Sequence, residues 1–335
     1  MRKLLLFVVL LSAFAASARE WTPDSLPGYE YTRVERTDGD RCTVIRRTAP
    51  CAGNRGVLYI HGYNDYFFNA EMGDTFVDSL YNFYAVDLHG YGRSMLPGRR
   101  PYQARRVSDY YADIDSALNV MHENGVENIV LLGHSTGGLI AACYMSFQPS
   151  PMVDAVILNS PFLEFNFKGV MRSVLLPLMS TLGGPFPGIA VAQGNAIDGY
   201  AQSCSADFHG EWHYNYEWKT AKPRPITAGW IRMIMNAQAE LKLNPERILV
   251  PTLLMHSARS IYGSEWTPEF QRGDAVLNVE HIARFGRTLG PSLTEMTVEG
   301  GMHDLFLSAP DVRRPLYTAV FAWLNRNFVF PPYCQ

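Results

Sequence analysis

The chain contains no basic run, and its 29 Lys and Arg are outnumbered by 32 Asp and Glu, for a formal net charge of −3. Nucleic-acid phosphates call for clustered cations, so no nucleic-acid partner is expected. Internal repeats, heptads and low-complexity tracts are absent as well, which argues against solenoids, coiled coils and disordered arrays. Long uninterrupted apolar runs are missing too. The N-terminal run holds about 15 apolar residues against the roughly 20 that span a bilayer. The stretch over residues 174–192 is broken by Pro177, Gly183, Gly184, Pro185 and Pro187, so it reads as a greasy lid lining. Cysteines are few, five in all, and an odd number leaves at least one unpaired.

What is present at the start is Arg2-Lys3, an apolar run over residues 4–16 and Ala16-Ser17-Ala18, the order of a cleavable signal peptide. The expected domains are therefore a leader over 1–18 and an exported (periplasmic or secreted) chain over 19–335. No Cys follows the run to accept a lipid. In an oxidising compartment Cys42 with Cys51 and Cys204 with Cys334 are the candidate bridges, while Cys143 sits in an apolar helical stretch and reads as a core thiol.

Hydrophobic residues make up 47% of the chain and charged ones 18%, enough apolar material for one large core. Near-continuous apolar runs at residues 56–60, 83–86, 129–132, 155–158, 252–255 and 293–298 read as strands covered on both faces. Helical spacing at 107–123, 137–147, 279–289 and 313–327 supplies crossovers. This predicts an α/β class protein with a mostly parallel central sheet and helices on both faces. The alternation lapses over about 161–245, a length and place that read as an inserted cap.

Gly133-His134-Ser135-Thr136-Gly137 follows a predicted strand and precedes a predicted helix, the context of a G-x-S-x-G nucleophile elbow. A serine hydroxyl needs a base within reach. His303, in Gly300-Gly301-Met302-His303-Asp304 after the last predicted strand, has the right place in the order Ser, Asp, His; His134 lies inside the elbow and His61 ends a strand. The acid departs from the expected pattern. Ser260 stands where the carboxylate should follow the strand at 252–255, and Asp274 leads into the next helix after an insertion over 261–272. Asp274 is the candidate that would orient His303, with Glu265 and Glu269 as alternatives. The expected oxyanion donors are the backbone N–H groups of Thr136 and of Tyr63 in His61-Gly62-Tyr63-Asn64-Asp65. Asp87-Leu88-His89-Gly90-Tyr91-Gly92-Arg93-Ser94 lacks the Lys and spacing of a phosphate loop and reads as structural, with Asp87 and Arg93 paired.

Together, His61-Gly62, residues 87–94, Gly133 to Gly138, Asn159-Ser160-Pro161 and His303-Asp304 resemble the α/β-hydrolase superfamily. Within it they resemble the branch of monoacylglycerol lipases, lysophospholipases and serine aminopeptidases, and more narrowly bacterial members with His-Gly-x-Asn-Asp-Tyr-Phe-Phe and Gly-His-Ser-Thr-Gly-Gly stretches. The resemblance implies the fold, a Ser-Asp-His triad, and no cofactor or metal. It leaves the substrate open. Cap aromatics, Phe162, Trp212 and Trp230 among them, favour an apolar acyl ester and transient contact of the cap with a membrane surface. A serine aminopeptidase, with Glu164, Glu211 or Glu217 holding an α-amine, and a non-catalytic binding protein on the same fold are the other readings. Oligomeric state is not legible.

Overall fold

The computed structural model describes residues 19–50, 53–102, 104–167, 169–192 and 197–327. The leader read over 1–18 lies outside these residues, as do Cys51 and Cys334. The partners expected for those two cysteines, Cys42 and Cys204, are buried free thiols, and so is Cys143.

The strands are β1 (Thr22–Pro23), β2 (Glu30–Glu35), β3 (Arg41–Arg47), β4 (Arg55–Ile60), β5 (Asn82–Asp87), β6 (Asn128–His134), β7 (Val153–Asn159), β8 (Ala190–Ala192), β9 (Ile226–Thr227), β10 (Thr252–Ser257) and β11 (Leu293–Val298). Nine of them form one sheet in the order β1-β2-β3-β5-β4-β6-β7-β10-β11. Pairing is parallel from β5 through β11 and antiparallel among β1, β2, β3 and β5. β2 escapes a sequence reading because Glu30, Arg33 and Glu35 leave it too polar to stand out.

Side chains alternate across a strand, so one run serves two cores. Leu58 and Ile60 of β4 face one apolar cluster, while Val57 and Tyr59 face the other. The first cluster is closed by α2 (Tyr111–Glu123), α3 (Thr136–Phe147), α6 (Ala228–Leu243) and α7 (Val279–Gly286); the second by α1 (Ala70–Asp78) and α8 (Pro310–Asn327). Helix α1, short and absent from the helical patterns of the sequence, starts at Asn69, whose side chain accepts from the Met72 N–H. Helix α3 is buried from Thr136 to Ser146 because α6 covers the side turned away from the sheet, so it is apolar all round.

Between β7 and β10 the chain carries a π-helical turn at Met171–Leu175 leading into α4 (Leu176–Leu182), then β8, α5 (Gly199–Cys204), β9 and α6. β8 and β9 form a separate antiparallel ribbon. Among the described residues no helix is long and apolar enough to cross a membrane.

Candidate active site

From β4 the chain runs to β5 on one side and then returns to β6 on the other. The loops leaving the carboxyl ends of β4 and β6 therefore part and open a crevice, where open α/β sheets bind ligands. The loop after β4 holds Tyr63, the turn after β6 holds Ser135, and the loops after β10 and β11 hold Asp274 and His303.

Ser135 has φ 53° and ψ −116°, a conformation that costs an L-residue about 1–3 kcal/mol. Its surroundings enforce it. The Ser135 N–H donates to Asn159 O at 3.0 Å, and Ser135 O accepts from the Phe162 N–H at 3.0 Å. The turn is also closed against β4: a Cβ at Gly137 would stand 2.3 Å from His61 O, and one at Gly133 would stand 2.6 Å from Gly137 O. Only glycine admits backbones this near to one another. The hydroxyl is left at the crevice floor, with Ser135 9% exposed.

Ser135 Oγ lies 2.9 Å from His303 Nε2, and His303 Nδ1 lies 2.9 Å from Asp274 Oδ2. With Nδ1 protonated, His303 donates to the carboxylate and accepts from the serine, one continuous line of hydrogen bonds. Asp274 is fully buried, and its Oδ1 accepts the N–H groups of Val276 (2.8 Å) and Leu277 (2.7 Å), which aim Oδ2 at the ring. The departure at Ser260 has a simple geometry. Ser260 and Asp274 are bridged as neighbours, the Ile261 N–H donating to Asp274 O at 2.8 Å and the Asp274 N–H to Arg259 O at 2.9 Å. The inserted residues loop out, and the carboxylate re-enters beside the serine. Glu265 and Glu269 are exposed on that loop, and Glu269 pairs with Arg259.

Thr136 opens α3, whose first amides have no intrahelical acceptor. The Tyr63 ring packs against Tyr102 (centroids 5.0 Å) and Trp230 (4.7 Å). Next to it, Asn64 adopts φ 50°, and its Oδ1 accepts from the Thr220 N–H (3.1 Å), Thr220 Oγ1 (3.0 Å) and Tyr102 OH (3.3 Å). Asp65 is paired with Lys219 at 2.9 Å, both buried. Burial opposes ionisation of Asp65, but the Lys219 ammonium outweighs it and holds the carboxyl below its usual range. Burial likewise opposes the Lys219 charge, and Asp65 reverses the balance, keeping the amine above its usual range. The contacts with Thr220, Lys219 and Trp230 span more than 150 residues of sequence and carry no local signal; reasoning from the sequence missed them.

It also missed what surrounds the imidazole. His134 lies 4.9 Å from His303 between ring centroids, and the Tyr200 ring meets His303 edge-on at 5.4 Å. Burial pushes the His134 pKa down, so it stands beside His303 as a neutral ring. His61, a strand-end residue as expected, donates from Nδ1 to Gly62 O (2.8 Å) and accepts from the Leu88 N–H (3.1 Å). Asp87 and Arg93 are paired at 2.9 Å, and Arg93 also holds Asp24 at 2.6 Å.

The three aromatics expected to bind substrate separate. Phe162 and Trp230 stack, with centroids 6.1 Å apart, next to the Ser135 turn. Trp212 is drawn elsewhere: its indole donates to Leu307 O at 2.9 Å and Arg313 sits 5.0 Å over its ring, so it joins a satellite cluster with Phe68 and Cys204. Hydrogen-bonding demand of the indole, which sequence does not show, decides this.

Residues 54–265 match the family described as serine aminopeptidase, S33. The chain belongs to the serine aminopeptidase S33 family. Its fold is that of the α/β-hydrolases. The S33 chain is similar to mouse epoxide hydrolase 4, 29% identical over 160 residues, which cover 42% of this chain and 43% of the mouse protein. The match to that relative thus spans less than half of the relative's length. In structure the S33 chain is similar to the monoacylglycerol lipase of Paleococcus ferrophilus (TM-score 0.64, 22% identity, 85% of this chain and 98% of that one). It is also similar to a soluble variant of the Saccharomyces cerevisiae monoglyceride lipase bound to a substrate analogue (TM-score 0.65, 17% identity, 95% and 97%). At these identities the likeness establishes the fold.

Proposed function

We propose that this S33 family member hydrolyses a carboxylic ester through an acyl-enzyme on Ser135. The observation that carries the reading is the unbroken line from Ser135 Oγ to His303 Nε2 and from His303 Nδ1 to Asp274 Oδ2, each link 2.9 Å. In this reading Ser135 Oγ attacks the carbonyl carbon and its proton passes to His303 Nε2. The tetrahedral oxyanion is held by the N–H groups of Thr136 and Tyr63. His303 returns the proton to the departing alcohol, water then attacks the acyl group with His303 as base, and Asp274 stabilises the imidazolium without taking the proton.

The ester reading is preferred to peptide cleavage because the cap carboxylates suited to an α-amine are engaged or exposed. Glu164 is held by Lys242 and Arg172, Glu211 by Arg313, and Glu217 faces solvent. Phe162, Phe165 and Trp230 beside the nucleophile suit an apolar acyl chain. Export behind the leader read over 1–18, and transient contact of the cap with a lipid surface, belong to the same proposal. Phe167, Val170, Val174 and Leu178 stand exposed on the cap and suit such contact.

The test is fluorophosphonate labelling together with substrate ranking. Wild type should label and Ser135→Ala should not; p-nitrophenyl acyl esters should outpace aminoacyl anilides. A wild type that never labels would favour a non-catalytic binding protein, and the reverse ranking would select the aminopeptidase.

A further inference from the structure

Against Trp230, between α6, the residues 183–188 turn and the segment beginning at Gly98, lies an open cavity of about 1080 Å³. Arg99, Arg100, Arg105, Arg106 and Arg232 line it, and no lining residue is Asp or Glu, although acids outnumber bases in the chain as a whole. Arg99 is paired with Asp40 and Arg232 donates to Ser180 O at 3.3 Å. The guanidinium groups of Arg100, Arg105 and Arg106 have no carboxylate partner among the described residues. Two of the five converge on one turn: a Cβ at Gly188 would stand 2.9 Å from Arg100 Nη1, and one at Gly184 would stand 3.9 Å from Arg232 Nη1. Gathering like charges around a concave surface raises their mutual repulsion and focuses a positive potential there, which an anion relieves.

The cavity is joined to the crevice by a shared wall. Trp230 lines it, stacks on Phe162 and packs on Tyr63, and the Phe162 N–H donates to the Ser135 carbonyl. The Trp230 indole N–H is buried with no acceptor among the described residues, although Trp230 is only 6% exposed. Buried indole N–H groups ordinarily find a partner. A cavity rich in guanidinium, without Asp or Glu in its lining and walled by Trp230, suits a carboxylate or phosphate, which arginine grips with two parallel donors.

We infer that this cavity is an anion site that selects esters bearing a phosphate or carboxylate group. The inference rests on the ester-hydrolase reading, since it names the substrate class for Ser135. Two pairs of esters test it: 1-acylglycerol against 1-acylglycerol-3-phosphate of the same chain length, and a p-nitrophenyl acyl ester against the hemiester ending in a carboxylate. Wild type should favour at least one anionic member in kcat/KM. The doubly substituted Arg100→Met/Arg232→Met protein, which keeps side-chain length and loses charge, should lose about tenfold or more on that member, chiefly in KM, and keep its rate on the neutral ester. The pair that responds identifies phosphate or carboxylate. Equal rates on both members of both pairs, or equal losses in the variant on neutral and anionic esters, would overturn the inference. Calorimetry with Ser135→Ala and 1-acylglycerol-3-phosphate or the hemiester separates the two readings. Binding that vanishes with Arg100→Met/Arg232→Met supports the site even if wild type hydrolyses nothing, whereas no binding of either anion sinks it while leaving neutral-ester hydrolysis standing.

Discussion

Replacing Lys219 with Met should loosen the loop that carries Tyr63 and destabilise the whole chain. The Lys219 ammonium lies 2.9 Å from Asp65, at exposures of 8% and 3%, with the Phe68, Tyr200 and Tyr214 rings within 5.9 Å of it. Removing one partner leaves a buried carboxylate unpaired, at a cost of about 3–5 kcal/mol. Unfolding entropy of about 2.1 cal/mol/K per residue makes the unfolding entropy of the 335-residue chain about 0.7 kcal/mol/K, so Tm should fall by roughly 4–7 °C. The sign with pH follows from the two shifts. Asp65, held below its usual range, contributes stability that is full above the unfolded value of about 3.9 and is lost as pH falls through the folded one. Lys219, held above its range, contributes fully below the unfolded value of about 10.4 and loses that contribution as pH rises through the folded one. The Tm gap between wild type and Lys219→Met should therefore be widest between about pH 5 and pH 9 and narrow in acid. Activity should show a positioning effect, with kcat down by about tenfold to a hundredfold and KM nearly unchanged, because Asn64 and Asp65 follow Tyr63 directly. Calorimetric Tm values for Lys219→Met, Asp65→Asn and the double variant decide the matter. The double variant should lose less than the two singles combined, and strict additivity would refute the coupling.

Asp274→Asn should fold normally and lose roughly 10³–10⁴-fold in kcat, since Nδ1–H loses its charged acceptor; a loss under tenfold in steady-state assays would remove Asp274 from the line. Gly137→Ala should fail to fold or lose several kcal/mol in denaturant unfolding, about the scale of severe overpacking, because its Cβ meets two β4-end carbonyls within 2.4 Å. Arg93→Met should cost about 3–5 kcal/mol by leaving Asp24 and Asp87 without their cation, a loss that thermal unfolding reads as a lower Tm partly recovered on acidification.

Legibility tracked locality. The strands at β4, β5, β6, β7 and β10 could be read because each is buried on both faces and hence largely apolar; β11, at the sheet edge with only Val298 buried, was read from Leu293, Met296 and Val298, and the Ser135 elbow from glycines within two residues of it. Helix α1 and strand β2 could not, one being short and the other polar on its exposed side. The aromatic cap residues were visible as a group, but their allegiance was not: Trp230 went to Tyr63 and Phe162, Trp212 to Leu307 and Arg313.

Sequence alone therefore determined the layered α/β architecture and the residue types proposed to carry the chemistry, since both depend on short-range periodicity and on a turn whose sterics are local. Tertiary structure alone decided that Asp274 returns beside Ser260, that Lys219 meets Asp65, and that five arginines share a cavity next to Trp230. Each of these depends on chain segments far apart in sequence being brought within a few ångströms by the packing of a common core, and no local pattern encodes that distance.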